Sequence, residues 1–370
     1  MKKILVVDWL DKYGGAERVL TSFNKSFNFS RCYTLINNMP DENLKKVFLR
    51  NDIEIIESPL KILKSKFRYL FFLFPYFISN LSREKNKCLI ISSSFAVAKG
   101  FRSKKNQLHI CYFQARNQRY IWDEENIYFT KLQALILNPI LYLLRKIDIK
   151  QSKRPDFIVA NSFFVKDWIK KHYKIDCEVI YPPVDTKLFK LEKNKSGYYI
   201  TTARLEPYKR IDLIVDAFNN IDEELYIVGD GSTKKSLKAK ANENIKFYDF
   251  LDAKGVMNLV SKAKAFIHVG VEDFGIAPVE AQSCGTPVIA FNKGGVSETV
   301  VNGKTGVLFE HQTAGAILDA IKRFNKIKFN YRLISEHAAN YSEEKFIANV
   351  KKYVESKLQN LKDNNEKEKG

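Results

Sequence analysis

Residues 266–285 read FIHVGVEDFGIAPVEAQSCG, a stretch in which an apolar run gives way to a glycine turn and then to a short helical pattern. The run Phe266–Val269 has the β-branched and aromatic composition of a buried strand. Pro278 suits the first turn of a helix, and Gly285 suits the position that follows its last residue. A strand that leads through a tight turn into a helix is the repeating unit of a parallel α/β sheet.

Similar apolar runs recur along the chain and alternate with longer amphipathic stretches, which predicts an α/β fold with parallel sheets. The core strands expected in the first half are Ile4–Asp8, Cys88–Ser92, Leu108–Phe113 and Phe157–Ala160. Those expected in the second half are Tyr198–Ala203, Leu225–Val228, Phe266–Val269 and Pro287–Ala290.

The chain of 370 residues, 45% of them hydrophobic, suits about two domains. Two adjacent prolines stiffen the connection Ile180–Asp185, so we place the boundary there and expect domains at 1–185 and 186–340. Apolar residues at helical spacing predict a last amphipathic helix over 341–358, which we expect to pack on the N-terminal domain. The polar residues 359–370 are expected to form a flexible tail.

The composition favours a cytoplasmic protein that does not span a membrane. Five cysteines are scattered without a C-x-x-C pair, which indicates a reducing compartment. The apolar run that follows Lys2-Lys3 is too short for the core of a signal peptide. The longest apolar stretch, Tyr69–Ile78, is about half of what a bilayer-spanning helix needs and contains Pro75. No D-x-D triplet is present, so we expect no metal and no cofactor.

Positive charge is concentrated in the first half of the chain. Residues 1–190 hold 34 Lys and Arg against 18 Asp and Glu, a net +16, whereas the remainder nets +3. This favours an anionic partner, either nucleic acid, anionic lipid or a phosphorylated acceptor, unless lysine is simply abundant on every solvated face. Lys61, Lys64, Lys66 and Arg68 precede the aromatic stretch Tyr69–Ile78, which suits either a helix lying in a membrane interface or a core helix with a lysine-rich start.

Two glutamates flank the glycine turn, with seven residues between them. The backbone amides of Phe274, Gly275 and Ile276, at the start of the helix, are expected to donate to an anion such as a diphosphate. Glu280, one turn into the helix, can accept hydrogen bonds from a ribose, and Glu272 can reach a sugar hydroxyl.

This E-x7-E pattern with F-G inside it resembles the signature of the large family-4 group of retaining glycosyltransferases. The resemblance implies the GT-B fold, two facing Rossmann-like domains. Residues 202–212, TARLEPYKRID, are similar to the family's R-L-x-x-x-K segment, which implies that Arg204 and Lys209 bind the donor diphosphate. A guanidinium and an ammonium stabilise the charge of a departing nucleoside diphosphate. Gly14 and Gly15 match the family's G-G-A-E, placed at the cleft.

Further segments extend the resemblance from residue 4 to about residue 310. They are Val228–Gly231, Gly294–Glu298, Asn302–Gly306 and the loop with Phe250 and Leu251, which matches the loop that holds the nucleotide base. One departure concerns the His-x-Pro segment that family members carry before R-Y-x-W-D. Here Gln114-Ala115-Arg116 replaces it, so the resemblance transfers the contact with the reacting sugar to Gln114 or Arg116. His109 and His268 are interpreted as core residues.

The resemblance implies a retaining, metal-independent hexosyltransferase like the bacterial polysaccharide and O-antigen mannosyltransferases. The first expectation for the donor is GDP-mannose, and for the acceptor a glycan or a polyprenyl-diphosphate-linked glycan at the inner face of a membrane. A transferase that uses a UDP-sugar and a GT-B epimerase stay open as alternatives. A basic nucleic-acid-binding protein is the non-enzymatic alternative, although no nucleic-acid module pattern is found and we expect no nucleic-acid partner.

Overall fold

The computed structural model describes residues 1–50, 52–123 and 130–367, and the chain divides into two compact units. The first unit comprises Met1–Pro183 together with the chain from Phe346 onward, and the second comprises Val184–Lys345. The division after Pro183 lies within the double-proline segment chosen from the sequence. Each unit has its own parallel sheet and its own apolar core.

The first unit is built on a seven-stranded parallel sheet with the order β3-β2-β1-β4-β5-β6-β7. Its strands are β1 (Lys2–Val7), β2 (Arg31–Thr34), β3 (Glu54–Glu57), β4 (Cys88–Ser94), β5 (Leu108–Phe113), β6 (Phe157–Ala160) and β7 (Glu178–Val179). Every residue of the central strands β4 and β5 is buried. Because helices cover both faces of such a sheet, its central strands are buried along their whole length and do not alternate between buried and exposed residues.

The helices of the first unit are α1 (Gly15–Phe27), α2 (Asp41–Phe48), α3 (Phe74–Ser79), α4 (Arg119–Trp122), α5 (Lys131–Ser152) and α6 (Phe163–Tyr173). The 3₁₀ segments are Pro59–Leu73 and Ala98–Gly100. The stretch 59–79 is therefore not one interfacial helix. Lys64 lies outside the helical region at φ 47°, and Pro75 opens the short helix α3. Phe67, Phe74 and Ile78 of this stretch are buried in the core, as a core segment requires.

The second unit is built on a six-stranded parallel sheet with the order β10-β9-β8-β11-β12-β13. Its strands are β8 (Tyr199–Thr202), β9 (Leu225–Val228), β10 (Ile245–Tyr248), β11 (Ala265–His268), β12 (Val288–Phe291) and β13 (Gly306–Phe309). Its helices are α7 (Ile211–Phe218), α8 (Lys234–Lys240), α9 (Ala253–Lys262), α10 (Ile276–Ser283), α11 (Val296–Thr299), α12 (Ala314–Phe324) and α13 (Tyr331–Ala338), with 3₁₀ turns at Pro207–Lys209 and Ala339–Tyr341. The strand order reverses between β8 and β11, and ligands of open α/β sheets bind at such a reversal, outside the carboxyl ends of the strands.

The last helix, α14 (Glu343–Lys367), completes the core of the first unit. Phe346 lies with its ring centroid 5.3 Å from Phe23 and 5.8 Å from Tyr112. Val350, Tyr353 and Val354 are buried in the same cluster. The helix continues past its expected end at residue 358 and ends at Lys367. Residues 359–367 contain neither Gly nor Pro, the two residues that disfavour a helix most strongly. Residues 368–370 of the expected tail lie outside the described residues.

The predicted α/β class and its parallel sheets are confirmed. All eight strands expected from the sequence are present, and Leu108–Phe113, Phe157–Ala160 and Leu225–Val228 have the predicted bounds. In the part of the chain that the structure describes, every helix is too short or too polar to cross a bilayer.

Candidate functional site

An ion pair lies at the strand-order reversal of the second unit. Lys209 ends the 3₁₀ turn that follows β8, and Glu272 lies in the loop that follows β11, the strand next to β8 in the sheet. Lys209 Nζ donates to Glu272 Oε1 at 2.5 Å. The side chains are 14% and 28% exposed, so both remain in contact with solvent. The structure thus brings together two of the three predicted catalytic residues.

His268, the last residue of β11, lies beside this pair. Its Nε2 atom is 3.9 Å from Glu272 Oε1, and no hydrogen-bond partner reaches Nε2 within the described residues. Burial lowers the pKa of His268, and the charge of Lys209 lowers it further, against the opposing effect of Glu272. The imidazole is therefore neutral at neutral pH, and its unpaired nitrogen faces the carboxylate. His268 is buried, as its interpretation as a core residue predicts. Its contact with Glu272 was not predicted from the sequence.

The third predicted catalytic residue, Arg204, lies two residues after β8 with an exposed side chain. Across the described ranges no acidic side chain pairs with its guanidinium. Backbone packing fixes the loop that carries it: the loop after β9 lies so close that a Cβ atom on Gly229, at φ +144°, would stand 2.0 Å from the Ala203 carbonyl oxygen. A fixed loop with an unpaired guanidinium is suited to binding an anion.

A second glycine contact fixes the loop of Glu272. Gly294, at φ +88°, pairs with Glu272 in a parallel bridge, and the Gly295 amide donates to the Glu272 carbonyl oxygen at 2.9 Å. A Cβ atom on Gly294 would lie 2.4 Å from that oxygen. The Gly294–Glu298 segment noted in the sequence thus has a physical role, because its backbone packs directly against the glutamate loop.

The predicted anion-binding turn opens helix α10. Gly275 is its N-cap in the left-handed region at φ +88°, Ile276 is the first helical residue, and Phe274 is buried with its ring 5.8 Å from Tyr341. Glu280 is also buried, at 7% exposed. A carboxylate at this depth requires polar partners.

The residues predicted to hold the base differ in exposure. Phe250 is 84% exposed, whereas Leu251 is partly buried and packs on the apolar cluster beneath the sheet. An exposed aromatic ring beside a sheet edge can stack on a planar ligand.

In the first unit, Gln114 lies at the carboxyl end of β5 and contacts the start of α1. Its Nε2 donates to the Ala16 carbonyl oxygen at 3.2 Å and to Ser93 Oγ. Gly14 is the N-cap of α1, and its amide donates to Glu17 Oε2 at 2.9 Å, while Gly15 is the first helical residue and exposed. The structure therefore groups Gln114 with the predicted glycine pair.

Arg116 is placed differently, because its side chain is buried. Its Nη1 lies 3.5 Å from Asp123 Oδ2, and its guanidinium lies 4.9 Å from the centroid of the Phe164 ring. Asp123 also accepts a hydrogen bond from Trp168 Nε1 at 2.6 Å. These contacts give Arg116 a structural role in holding Asp123, which ends the R-Y-x-W-D segment.

Sequence reasoning missed a buried polar network behind that segment. Lys99 Nζ pairs with Asp148 Oδ1 at 2.6 Å, and both side chains are 0% exposed. Asp148 also accepts from Trp122 Nε1 at 2.9 Å, from the Tyr173 hydroxyl at 2.5 Å and from Gln118. A lysine in the apolar run 95–101 was the available signal, since lysine is almost never buried without a partner.

No cluster of three or more His, Cys, Asp or Glu side chains with the geometry of a metal site occurs among residues 1–50, 52–123 and 130–367. His109, interpreted as core, is fully buried and contacts Ser92 Oγ through Nε2 at 2.8 Å. Burial lowers its pKa to about 3, so it stays neutral.

Residues 184–353 match the family described as glycosyl transferases group 1. These residues span the second unit and the start of α14, and the ion pair Lys209–Glu272 lies within the matched region.

Individual relatives agree with this family. The chain is 25% identical over 209 residues to an uncharacterized glycosyltransferase of Methanocaldococcus jannaschii, covering 54% of this chain and 59% of that protein. It is 27% identical over 212 residues to the O-antigen chain mannosyltransferase RfbU of Salmonella typhimurium, covering 51% and 58%. It is 34% identical over 140 residues to a GDP-mannose-dependent phosphatidylinositol monomannoside mannosyltransferase of Corynebacterium glutamicum, covering 32% and 36%. Each match thus spans less than two thirds of the relative's length.

Solved structures share the fold over nearly the whole chain. Sucrose-phosphate synthase from Thermosynechococcus elongatus superposes with a TM-score of 0.73 at 15% identity, covering 97% of this chain and all of that chain. The Anabaena protein HepE in complex with UDP and glucose superposes with a TM-score of 0.67 at 16% identity, covering 96% and all of that chain. The structural neighbours are GT-B glycosyltransferases, which confirms the predicted fold class.

Proposed function

We propose that the protein is a retaining hexosyltransferase that uses a nucleoside-diphosphate sugar without a metal ion. The observation that carries the proposal is the Lys209–Glu272 pair at the strand-order reversal, within the region that matches the group 1 glycosyl transferases. Lys209 shares the loop after β8 with Arg204, whose guanidinium has no acidic partner among the described residues. Two fixed positive charges suit a leaving nucleoside diphosphate, which accumulates negative charge as the sugar bond breaks.

In the mechanism we propose, the acceptor hydroxyl attacks the anomeric carbon on the face from which the diphosphate departs. The anomeric carbon–oxygen bond breaks, the electron pair goes to the leaving phosphate, and that phosphate takes the proton of the hydroxyl. The protein supplies positioning and charge stabilisation rather than a strong base. Arg204 and Lys209 stabilise the phosphate charge, and Glu272 orients the sugar by accepting a hydroxyl hydrogen bond.

The donor we propose first is GDP-mannose. Support comes from the relative of Corynebacterium glutamicum, which is named as GDP-mannose-dependent, and from the mannosyltransferase RfbU. A UDP-sugar is the second candidate because the Anabaena structure was solved with UDP and glucose. A thermal-shift screen with GDP, UDP, ADP and their sugars separates them, since a ligand of the folded state raises the melting temperature. Stabilisation by none of them would contradict the function.

The two cations provide the first test of the mechanism. We expect Arg204→Ala and Lys209→Ala each to lower turnover by about 10²- to 10³-fold, because each removes a charge that stabilises the transition state. Release of nucleoside diphosphate in the presence of acceptor measures turnover. The control is Lys322→Ala, since Lys322 is 74% exposed and its ion pair is with Asp319 in the same helix. Near-normal activity of both site variants would refute the assignment.

The acceptor we propose is a glycan or a polyprenyl-diphosphate-linked glycan at an anionic membrane surface, which would make the protein peripheral to the inner face of the membrane. Support comes from the net +16 of residues 1–190 and from the exposed side chains of Lys61, Lys64, Lys66 and Arg68. Polybasic segments are attracted to anionic headgroups and lose that attraction at high salt.

We expect the combined change of Lys61, Lys64, Lys66 and Arg68 to Glu to weaken flotation with anionic vesicles at low salt. The change reverses the charge that faces the headgroups, and flotation of wild type and variant at equal protein concentration measures it. Unchanged flotation would contradict a role of these four basic residues in membrane binding.

A further inference from the structure

The helix α5 (Lys131–Ser152) exposes an apolar stripe that the site described above does not use. On its buried side, Leu141 and Leu144 pack in a small core cluster with Ile121, and Leu137 packs against it. On the other side, five apolar side chains are between 41% and 72% exposed: Leu132, Leu135, Ile136, Ile140 and Leu143. The first half of the helix is thus apolar on two opposite sides.

The exposed residues form one continuous row. Apart from the adjacent pair Leu135 and Ile136, they recur at intervals of three and four residues, the spacing that places side chains above one another on a helix. A helix with a single apolar stripe lies on a protein surface, whereas a helix that is apolar all round lies between two apolar layers. The core of the first unit is one such layer, and the outward row requires another.

The charges on the helix identify the second layer. Lys146 and Lys150 continue the outward row one and two turns after Leu143, and both are exposed. The sole acidic residue of the helix, Asp148, is buried against Lys99. The outward side of α5 is therefore apolar at one end and positive at the other, without a negative charge.

A neighbouring segment has the same character. Phe71 packs against the cluster of α5, and Gln151 Nε2 at the end of α5 donates to the Pro75 carbonyl oxygen at 2.8 Å. The segment 59–79 also carries exposed apolar residues among exposed basic ones. They are Ile62, Tyr69, Phe72 and Tyr76 beside Lys61, Lys64, Lys66 and Arg68.

We propose that α5 lies in the plane of an anionic membrane surface, with its outward leucine and isoleucine row among the acyl chains and Lys146 and Lys150 at the lipid phosphates. Helices with an apolar face and basic flanks bind membranes in this way. A second copy of the chain is the less favourable occupant. A symmetric contact of this row with itself would bring the same lysines together, in a part of the chain that already carries a net +16.

The proposal extends the membrane-bound acceptor of the proposed function, because it names the helix that inserts into the membrane. It does not rest on the donor chemistry. Insertion and electrostatic attraction differ in their response to salt. Binding through Lys61, Lys64, Lys66 and Arg68 weakens as salt rises, whereas the part due to apolar burial persists.

The test is flotation with vesicles of phosphatidylethanolamine and phosphatidylglycerol in equal parts. The variant combines Leu135→Gln, Ile136→Gln and Leu143→Gln, and we expect its partition coefficient to fall by at least about tenfold, at low and at high salt. The control combines Leu49→Gln and Leu333→Gln, two leucines that are 52% and 59% exposed elsewhere, and we expect it to bind like wild type. Melting temperatures at or above that of wild type show that each variant folds.

Two results would overturn the proposal. One is equal flotation of the triple variant and wild type. The other is a wild type that fails to float and sediments as a dimer while the triple variant sediments as a monomer, which would make a second copy the occupant. The nucleotide thermal shift of the wild type separates this proposal from the function: a wild type that binds vesicles but no nucleotide leaves the α5 surface standing and contradicts the transferase.

Discussion

Glu272 and Lys209 neutralise each other, which affects the role that we propose for each with a donor. The ammonium is held in place by the carboxylate, and the carboxylate also faces the neutral His268. In the proposed mechanism a diphosphate competes with Glu272 for Lys209, so part of the Coulomb attraction between the cation and the phosphate replaces an attraction that already exists. We then expect Glu272 to turn toward the sugar hydroxyls.

Glu272→Gln separates these two roles. The amide keeps the shape but removes the charge that holds Lys209, so we expect the affinity for the nucleoside diphosphate to stay equal or rise. We expect kcat with the nucleotide sugar to fall by about 10-fold or more, because the sugar loses a charge-assisted hydrogen bond in the transition state. Calorimetric binding of the diphosphate and steady-state kinetics measure the two effects. A parallel loss of both would contradict the division of roles.

At the scale of residues, the sequence predicted site residues that belong to short motifs. It did not predict ion pairs between residues that are far apart in the chain. The Arg204 and Lys209 segment could be recognised because Arg204, Leu205 and Lys209 match three fixed positions within six residues. The pair Lys99–Asp148 joins two elements of the first unit that are far apart in sequence. The apolar run around Lys99 indicates that this lysine is buried, but no sequence pattern identifies Asp148 as its partner.

At the scale of elements, Lys195 links the ends of two helices in the second unit. Its Nζ donates to the Ser261 carbonyl oxygen at 2.6 Å, near the end of α9, and to the Cys284 carbonyl oxygen at 3.0 Å, just after α10. It also donates to Thr286 Oγ1 at 2.9 Å. The last carbonyl groups of a helix lack intrahelical partners, and a cation there is favourable. No carboxylate is among these partners, so burial lowers the pKa of Lys195 to about 8.

The stability of the second unit should therefore depend on pH through Lys195. The pKa in the folded chain, about 8, lies below the ordinary value of 10.5, so the unfolded chain binds more protons in this interval. The free energy of unfolding of wild type relative to Lys195→Met should accordingly rise as the pH increases from about 8 to about 10.5, and stay level below that window. Urea unfolding of both proteins at several pH values measures the difference. A constant difference across the window would contradict the buried cation.

The elements show which parts of a fold a sequence can predict. Buried strands such as Leu108–Phe113 are continuous apolar runs, and their bounds could be read directly. The edge strand Glu54–Glu57 and its neighbour Arg31–Thr34 were missed because they are short and carry charge. Arg31 pairs with Glu54 across these two strands and with Glu84 at 2.8 Å, so polar residues stabilise an edge that the hydrophobic pattern does not reveal.

At the scale of the whole molecule, the excess of positive charge and most of the exposed large apolar side chains lie in the first unit, and the predicted donor residues lie in the second. This division agrees with an enzyme whose acceptor and donor have different chemistry. The sequence predicted the charge asymmetry, because charge can be counted. The exposed row of α5 was not predicted, because an apolar run gives no indication of which side of a helix the core covers.

In the function we propose, Arg204 and Lys209 bind the diphosphate of a nucleotide in the second unit. Titration calorimetry of the wild type should show a much higher affinity for the preferred nucleoside diphosphate than for its nucleoside. In Arg204→Ala and in Lys209→Ala we expect the affinity for the diphosphate to fall by about 10- to 100-fold and the affinity for the nucleoside to stay unchanged. The control Lys322→Ala should bind both ligands like wild type. An unchanged ratio of the two affinities in both site variants would contradict the account.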